Sequence, residues 1–144
     1  MIWIKNISFY IVIAFLLNAL SIWIQSPFLS KFLHDNVISV LIYLLAINTA
    51  TTGIVLTKLK ELSGINSNFD FSASYKELKT ALWEQIFLIG VSLLVLILKD
   101  STIIKAKFEY HDFLFDTVIT AIFINGLDTL RDTSKAIFLI IKKK

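Results

Sequence analysis

The sequence predicts an all-α membrane protein: four transmembrane helices with cytoplasmic helix extensions, one domain over 1–144, assembled as a homo-oligomer. Three observations carry this expectation. Apolar stretches at roughly 7–24, 37–57, 82–98 and 113–130 fill most of the 144 residues. A bilayer core about 30 Å thick takes about 20 apolar helical residues, and three of the stretches come close to that with no internal Lys or Arg. The composition agrees: 56% hydrophobic, 17% charged and a mean hydropathy of +0.76, against about 25% charged residues in soluble domains. A soluble all-α domain of this size would have to hide four helices that are apolar all round, and it is too small to cover them.

The first stretch reads as a retained span. Its flank, Met1-Ile2-Trp3-Ile4-Lys5, carries one Lys, and Ser26-Pro27-Phe28 follows in place of a small-x-small cleavage site. Helix one should end before Pro27, whose ring disfavours helix in the preceding residue. Asn36 is a candidate cap for helix two, which can run on through Lys58-Leu59-Lys60-Glu61 until Ser63-Gly64 stops it. Residues 64–73 read as a turn. Ser74-x-x-Glu77 then has the pattern of a capping box, which starts helix three at Tyr75 and carries it to Leu98. The run Ile104-Lys105-Ala106-Lys107-Phe108-Glu109-Tyr110 alternates apolar and charged residues, the period of a short strand or an interfacial strip; a strand there would need a partner. The last helix extends from Phe113 to Ile141, longer than a bilayer needs, and its basic tail, 136–144, reads as an anchor at the inner leaflet.

Four spans put both termini and loop 58–80 on one side. That side holds Lys5, Lys58, Lys60, Lys76, Lys79, Arg131, Lys135, Lys142, Lys143 and Lys144; the other holds Lys31, Lys99, Lys105 and Lys107. The bias places the termini in the cytoplasm. The net charge of +3 therefore sits at span ends, and no basic stripe interleaves with aromatics, so direct nucleic-acid binding is not expected. Trp3, Trp23 and Trp83 stand where interfacial aromatics belong.

The fourth stretch carries the most polar information. Thr117, Ala121, Asn125, Asp128, Asp132 and Lys135 recur at spacings of three or four and share a face, with Asp116 and Thr120 beside them. An ionisable group at membrane depth costs about 2.5–3.5 kcal/mol on insertion scales unless it is paired or wetted, so this face should turn to the bundle, a subunit interface or an aqueous path. On the plainer reading Asp128, Arg131, Asp132 and Lys135 lie past the inner interface and pair along the helix, and Asp116 is interfacial. Span two adds Asn48, Thr49, Thr51, Thr52 and Gly53. Helix packing explains them, with Gly53 allowing close approach; alternatively Asn48 and Thr52 face Asn125 across a polar conduit. Asn18 should hydrogen-bond across helices, and Glu84 and Gln85 sit near the interface with Lys79 or Lys58 in reach. His34-Asp35 and His111-Asp112 each precede an even-numbered span. They read as loop residues and caps, or as a divalent-ion site if the loops meet. No HExxH, phosphate-binding Gly-rich loop, GxSxG or triad is present, so neither catalysis nor a cofactor is expected.

In layout the chain resembles the small four-span membrane components of phage-exclusion systems, such as the RexB and KwaA families. The match lies in length, four spans, cytoplasmic termini, the basic middle loop with Lys58-Leu59-Lys60-Glu61, and the polar pair Glu84 and Gln85 early in span three. The resemblance transfers no residue by position. It implies a multi-pass protein of the bacterial inner membrane that oligomerises and works with a cytosolic partner, as a sensor of infection or an ion-leak effector. Asn48, Thr52, Thr117, Asn125 and Asp128 would form the polar interface or pathway. Lys58, Lys60, Lys76, Lys79, Lys142, Lys143 and Lys144 would meet the partner and anionic lipid. Colicin-type immunity proteins have similar size and hydropathy, and offer the alternative of a scaffold that binds another membrane protein and conducts nothing.

Overall fold

The computed structural model describes the backbone of residues 2–65, 72–107 and 110–142, and the side chains of 7–61, 75–107 and 110–135. The described residues form five helices: α1 (Ile2–Trp23), α2 (Phe28–Ile65), α3 (Ser72–Lys99), the single turn α4 (Thr102–Lys105) and α5 (His111–Lys142). Three helical segments, Phe28–Glu61, Tyr75–Lys99 and His111–Lys135, are long and apolar enough to cross a membrane; Ile7–Trp23 is a shorter apolar helix. Both α2 and α5 run well past their apolar stretches, α2 reaching 38 residues, or about 57 Å at 1.5 Å per residue.

The end of α1 is built by the backbone. Gln25 takes a positive φ of 54°, the Ser26 N–H donates to the Ser21 carbonyl at 2.9 Å, and the Gln25 N–H donates to that of Ile22 at 3.0 Å. These paired bonds close a helix on a left-handed residue, and Pro27 follows as the sequence predicts. Helix α2 then starts at Phe28 rather than at a cap on Asn36. The Pro27 carbonyl accepts from Lys31 N–H at 3.0 Å, because the fixed φ of Pro suits a helix start. Asn36 lies inside the helix, its amide donating to the Phe32 carbonyl at 2.9 Å. The early start lets Leu33, 2% exposed, join the core.

Two further expectations are corrected. Helix α3 begins at Ser72, so Ser74 falls in its first turn and does not cap it. The alternating run from Ile104 begins inside a helical turn: Thr102–Lys105 is α4, and the Ala106 and Lys107 N–H groups bond back to Thr102 and Ile104. Local turns satisfy this connection's backbone where no neighbouring strand is present among the described residues.

Helix α5 is the hub and packs on α1, α2 and α3. Its buried positions accordingly wrap much of its circumference: Thr117, Ile119, Thr120, Ala121, Ile122 and Gly126. Helices α2, α3 and α5 form a three-helix core. Helix α1 is a satellite that lies along α5, barely meets α2 and, among the described residues, does not touch α3. The buried stripe of α2 is Leu33, Val37, Leu41, Leu44, Asn48, Thr52, Val55 and Leu59. Its steps of 4, 4 and 3 repeat every 11 residues; at about 3.67 residues per turn this nearly matches the helix's own pitch, so the stripe stays aligned along α2. Where α2 and α5 come closest, a Cβ on Gly126 would stand 2.7 Å from Leu41 Cδ2. Gly53, expected to serve close approach, is exposed and meets nothing within 4 Å. The outer surface remains apolar, with Phe9, Trp23, Phe87 and Leu94 all more than half exposed, as helices facing lipid require.

Candidate functional site

The polar side chains gather in three places, each held by a different pair of helices. The first is the α1–α5 seam. The Tyr10 hydroxyl donates to the Asp128 carboxylate, which also meets Arg131 at 2.5 Å. Two turns further along α1, Asn18 donates one amide hydrogen to the Ala14 carbonyl and the other to Thr120 Oγ1, both at 3.0 Å, the cross-helix bond expected of it. Between these anchors Ala14, 0% exposed, packs with Ala121 and Ile124. The eight residues from Tyr10 to Asn18 span about 12 Å, so an apolar closure of that length separates the two polar ends. Arg131, Asp132 and Lys135 pair along the exposed face, as the plainer reading of α5 expects, whereas Asp128 is half-buried and tied to α1.

The second place is the end of the bundle where α2 and α5 begin. Lys99 Nζ stands 2.5 Å from Asp116 Oδ1, with side chains only 9% and 14% exposed. Ser30 donates to Asp116 Oδ2 at 2.8 Å, and His111 Nε2–H donates to the Lys99 carbonyl at 2.9 Å. One carboxylate thereby joins α2, α3 and α5. Sequence reasoning placed Asp116 and Lys99 as separate interfacial charges. The signal for joining them is a lone Asp one turn into a span, with a Lys at the end of the preceding span: an ionised carboxylate away from water needs a cation. The two His-Asp pairs do not meet. His34 turns to Asp35 at 3.1 Å and Asp100 at 3.2 Å, while His111 is buried, and no group of three metal-ligating side chains occurs among the described residues. The bond to Asp35, helped by Asp100 and opposed by burial, raises the pKa of His34 above its usual value; this residue precedes the apolar stretch of α2.

The third place is inside the α2–α3–α5 core. Asn48 and Gln85 are each 1% exposed, and neither carboxamide has a hydrogen-bond partner. They sit between two apolar clusters, one containing Leu44 and Leu88, the other Val55, Leu59 and Leu78. Thr52, Thr129 and Thr133 are also buried; Thr129 and Thr133 bond back to the carbonyls of Asn125 and Thr129. Gln85 therefore lies in the core and not at an interface with Lys79. Thr117 bonds to the Phe113 carbonyl at 2.8 Å.

The five residues assigned to a polar pathway thus divide. Asp128 belongs to the α1 seam, Asn48 and Thr52 to the three-helix core, and Thr117 is satisfied within α5. Asn125 is half-buried and receives no bond from Asn48. Of the expected contact lysines, Lys58 pairs with Glu61 at 2.6 Å; Lys60, Lys76 and Lys79 are exposed. The Lys142 side chain, Lys143 and Lys144 lie outside the described residues.

Because α1 stands away from α2, a cleft of about 580 Å³ opens between α1, α2 and α5. Asn18, Ser21, Ser30, Asp112 and Asp116 line it, with Phe113, Ile22 and Pro27. It leads from the bundle end to the Asn18–Thr120 bond, where the apolar closure begins. Comparison with known protein families, curated proteins and solved structures finds no match to this chain.

Proposed function

We propose that this chain is a four-span protein of the bacterial inner membrane with cytoplasmic termini, and that α1 acts as its movable element. On this reading it is the oligomeric sensor or ion-leak component of a phage-exclusion system and works with a cytosolic partner. One observation carries the mechanism. Helix α1 is held to the core by polar bonds at two levels, with an apolar stretch of roughly 12 Å between them. In that stretch Ala14 packs with Ala121 and Ile124, and the Phe15 ring meets Phe113 edge-on. A rigid-body shift of α1 that parted Ala14 from Ala121 and Ile124, and Phe15 from Phe113, would join the cleft to the Tyr10–Asp128 level. Apolar constrictions of this kind gate conduction by excluding water. A shift needs a bistable contact and a ligand or partner that favours one state. Loop 58–80 and the basic tail are the partner-facing and lipid-facing segments in this scheme.

Potassium efflux from liposomes holding the purified protein tests it. Tyr10→Phe removes the hydroxyl that holds α1 to Asp128, and efflux should rise at least about tenfold, the value of one charge-assisted hydrogen bond. Liposomes that stay ion-tight with both wild type and Tyr10→Phe would remove the conduction reading. They would leave the chain as a scaffold or immunity-like protein that binds a membrane partner.

A further inference from the structure

The interior of the α1–α2–α5 cleft is rich in acceptors, with Ser26, whose hydroxyl accepts from the Phe28 N–H at 3.5 Å, keeping its hydrogen for another partner. Asn18 is 4% exposed, and both of its amide hydrogens are committed, to Ala14 and Thr120; only its carbonyl oxygen is left to face the cleft it lines. The Ser21 hydroxyl donates to the Ser26 carbonyl at 2.5 Å and the Ser30 hydroxyl to Asp116 at 2.8 Å. Both serines therefore turn lone pairs, not hydrogens, toward the space. Two carboxylates stand in the same lining, Asp116 and Asp112. Lys99 neutralises the first; the second meets His111 Nδ1 at 3.3 Å but is 71% exposed, so a carboxylate stays open to a ligand at the mouth, above an acceptor-rich interior. An anion would meet lone pairs and like charge. A quaternary ammonium would satisfy the charge but has no N–H for the acceptors. A primary ammonium satisfies both.

Size and access narrow the occupant further. At about 30 Å³ per water in the liquid, the 580 Å³ cleft is far larger than a bare cation and suits a headgroup-sized molecule. Gln25 and Tyr110, which also line the cleft, bring side-chain donors that could serve the phosphate of a zwitterion. Ile22, which lines the cleft, is exposed, as is Phe28 at the start of α2, and α1 and α2 barely touch.

We propose that this cleft binds a primary alkylammonium group, supplied by an ethanolamine lipid headgroup or by a soluble amine. The proposal rests on the membrane reading above but not on ion leak: ion-tight liposomes leave it standing, and its own failure leaves the gating of α1 untouched. Native mass spectrometry of the full chain in detergent, titrated with phosphatidylethanolamine and phosphatidylcholine of matched acyl chains, tests it. The ethanolamine lipid should bind at least about fivefold tighter, the worth of roughly one net hydrogen bond. Asp112→Asn, at an exposed position, and Asn18→Leu should each erase most of that preference. Asp112→Asn guards against a loss that reflects only weakened docking of α1. A second arm adds ethanolamine or choline as the free salt. Displacement of lipid by ethanolamine alone supports the site with a soluble source; no displacement, with the lipid preference intact, supports the lipid source. Equal affinity for the two lipids, or a preference unchanged in Asp112→Asn, overturns the proposal.

Discussion

Lys99 and Asp116 show how a single buried charge organises its surroundings. With side chains 9% and 14% exposed, neither is well hydrated, and removing one strands the other. Lys99→Ala should lower stability by about 3–5 kcal/mol, read by thermal unfolding in detergent. The pair replacement Lys99→Met with Asp116→Leu should recover most of the loss, because no charge is then left alone. A failure of the double variant to recover would mean that Ser30, which donates to Asp116, depends on the carboxylate more than Lys99 does. Asn48 and Gln85 present the opposite case, buried amides with nothing bonded to them. Asn48→Leu should therefore hold or raise stability, by up to about 1–3 kcal/mol of relieved desolvation. A marked fall would point to an internal water bonded to the Asn48 amide. His34 carries a pH dependence. Its pKa is raised by Asp35 and Asp100, so its contribution is complete below about pH 6.5 and disappears as pH rises through the raised value. An NMR titration of the His34 ring should give a midpoint above that of a free histidine, and Asp35→Asn should lower it.

Helix ends and close approaches are where individual elements can be tuned. Gln25 sits at φ 54°, a conformation that costs a residue with a Cβ about 1 kcal/mol relative to Gly. Gln25→Gly should stabilise the α1–α2 corner by about that amount, seen as a higher melting temperature; an unchanged or lower value would show that the glutamine amide compensates. Two helical glycines should respond in opposite ways. A Cβ on Gly90 meets nothing within 4 Å, so Gly90→Ala should gain close to the full helix propensity of about 1 kcal/mol. A Cβ on Gly126 crowds Leu41 Cδ2 at 2.7 Å, and Leu41 is itself 1% exposed, so its side chain has to shift within the core. Overpacking of about 1–3 kcal/mol should cancel or outweigh the propensity gain there.

At the scale of the whole chain, the molecule is a three-helix core with one helix laid against its hub. Packing with few neighbours marks a segment of low local stability, so α1 should open before α2, α3 or α5. A cysteine placed at Ala14, 0% exposed, should react slowly with a membrane-permeant maleimide and at least about tenfold faster in a Tyr10→Phe background. A cysteine at Leu41, inside the core, should stay protected in both. Equal acceleration at the two positions would mean that the bundle loosens as one unit, and that α1 has no motion of its own.

Hydropathy and length are properties of short stretches and were readable directly. Helix punctuation was readable at Pro27 but not at Asn36 or Ser74, because α2 and α3 start earlier, at Phe28 and Ser72. The apolar runs, the stop before Pro27 and the helical extensions of α2 and α5 past their apolar stretches follow from local rules about which residues tolerate which solvent and which φ. The partners of the polar groups are a different matter. Helix α1 is apolar on every side, so nothing in its order of residues marks the face that meets α5, and Asn18 alone hints at it. Whether Asp128 finds Tyr10, or Asn48 is buried without a bond to Asn125, depends on how each helix is rotated about its axis. Packing sets that rotation: Gly126 lets Leu41 settle against α5, and the aligned α2 stripe carries Asn48 and Thr52 inward with its leucines. The cleft likewise exists because α1 leans on α5 and away from α2, a choice made by contacts more than a hundred residues apart in the chain.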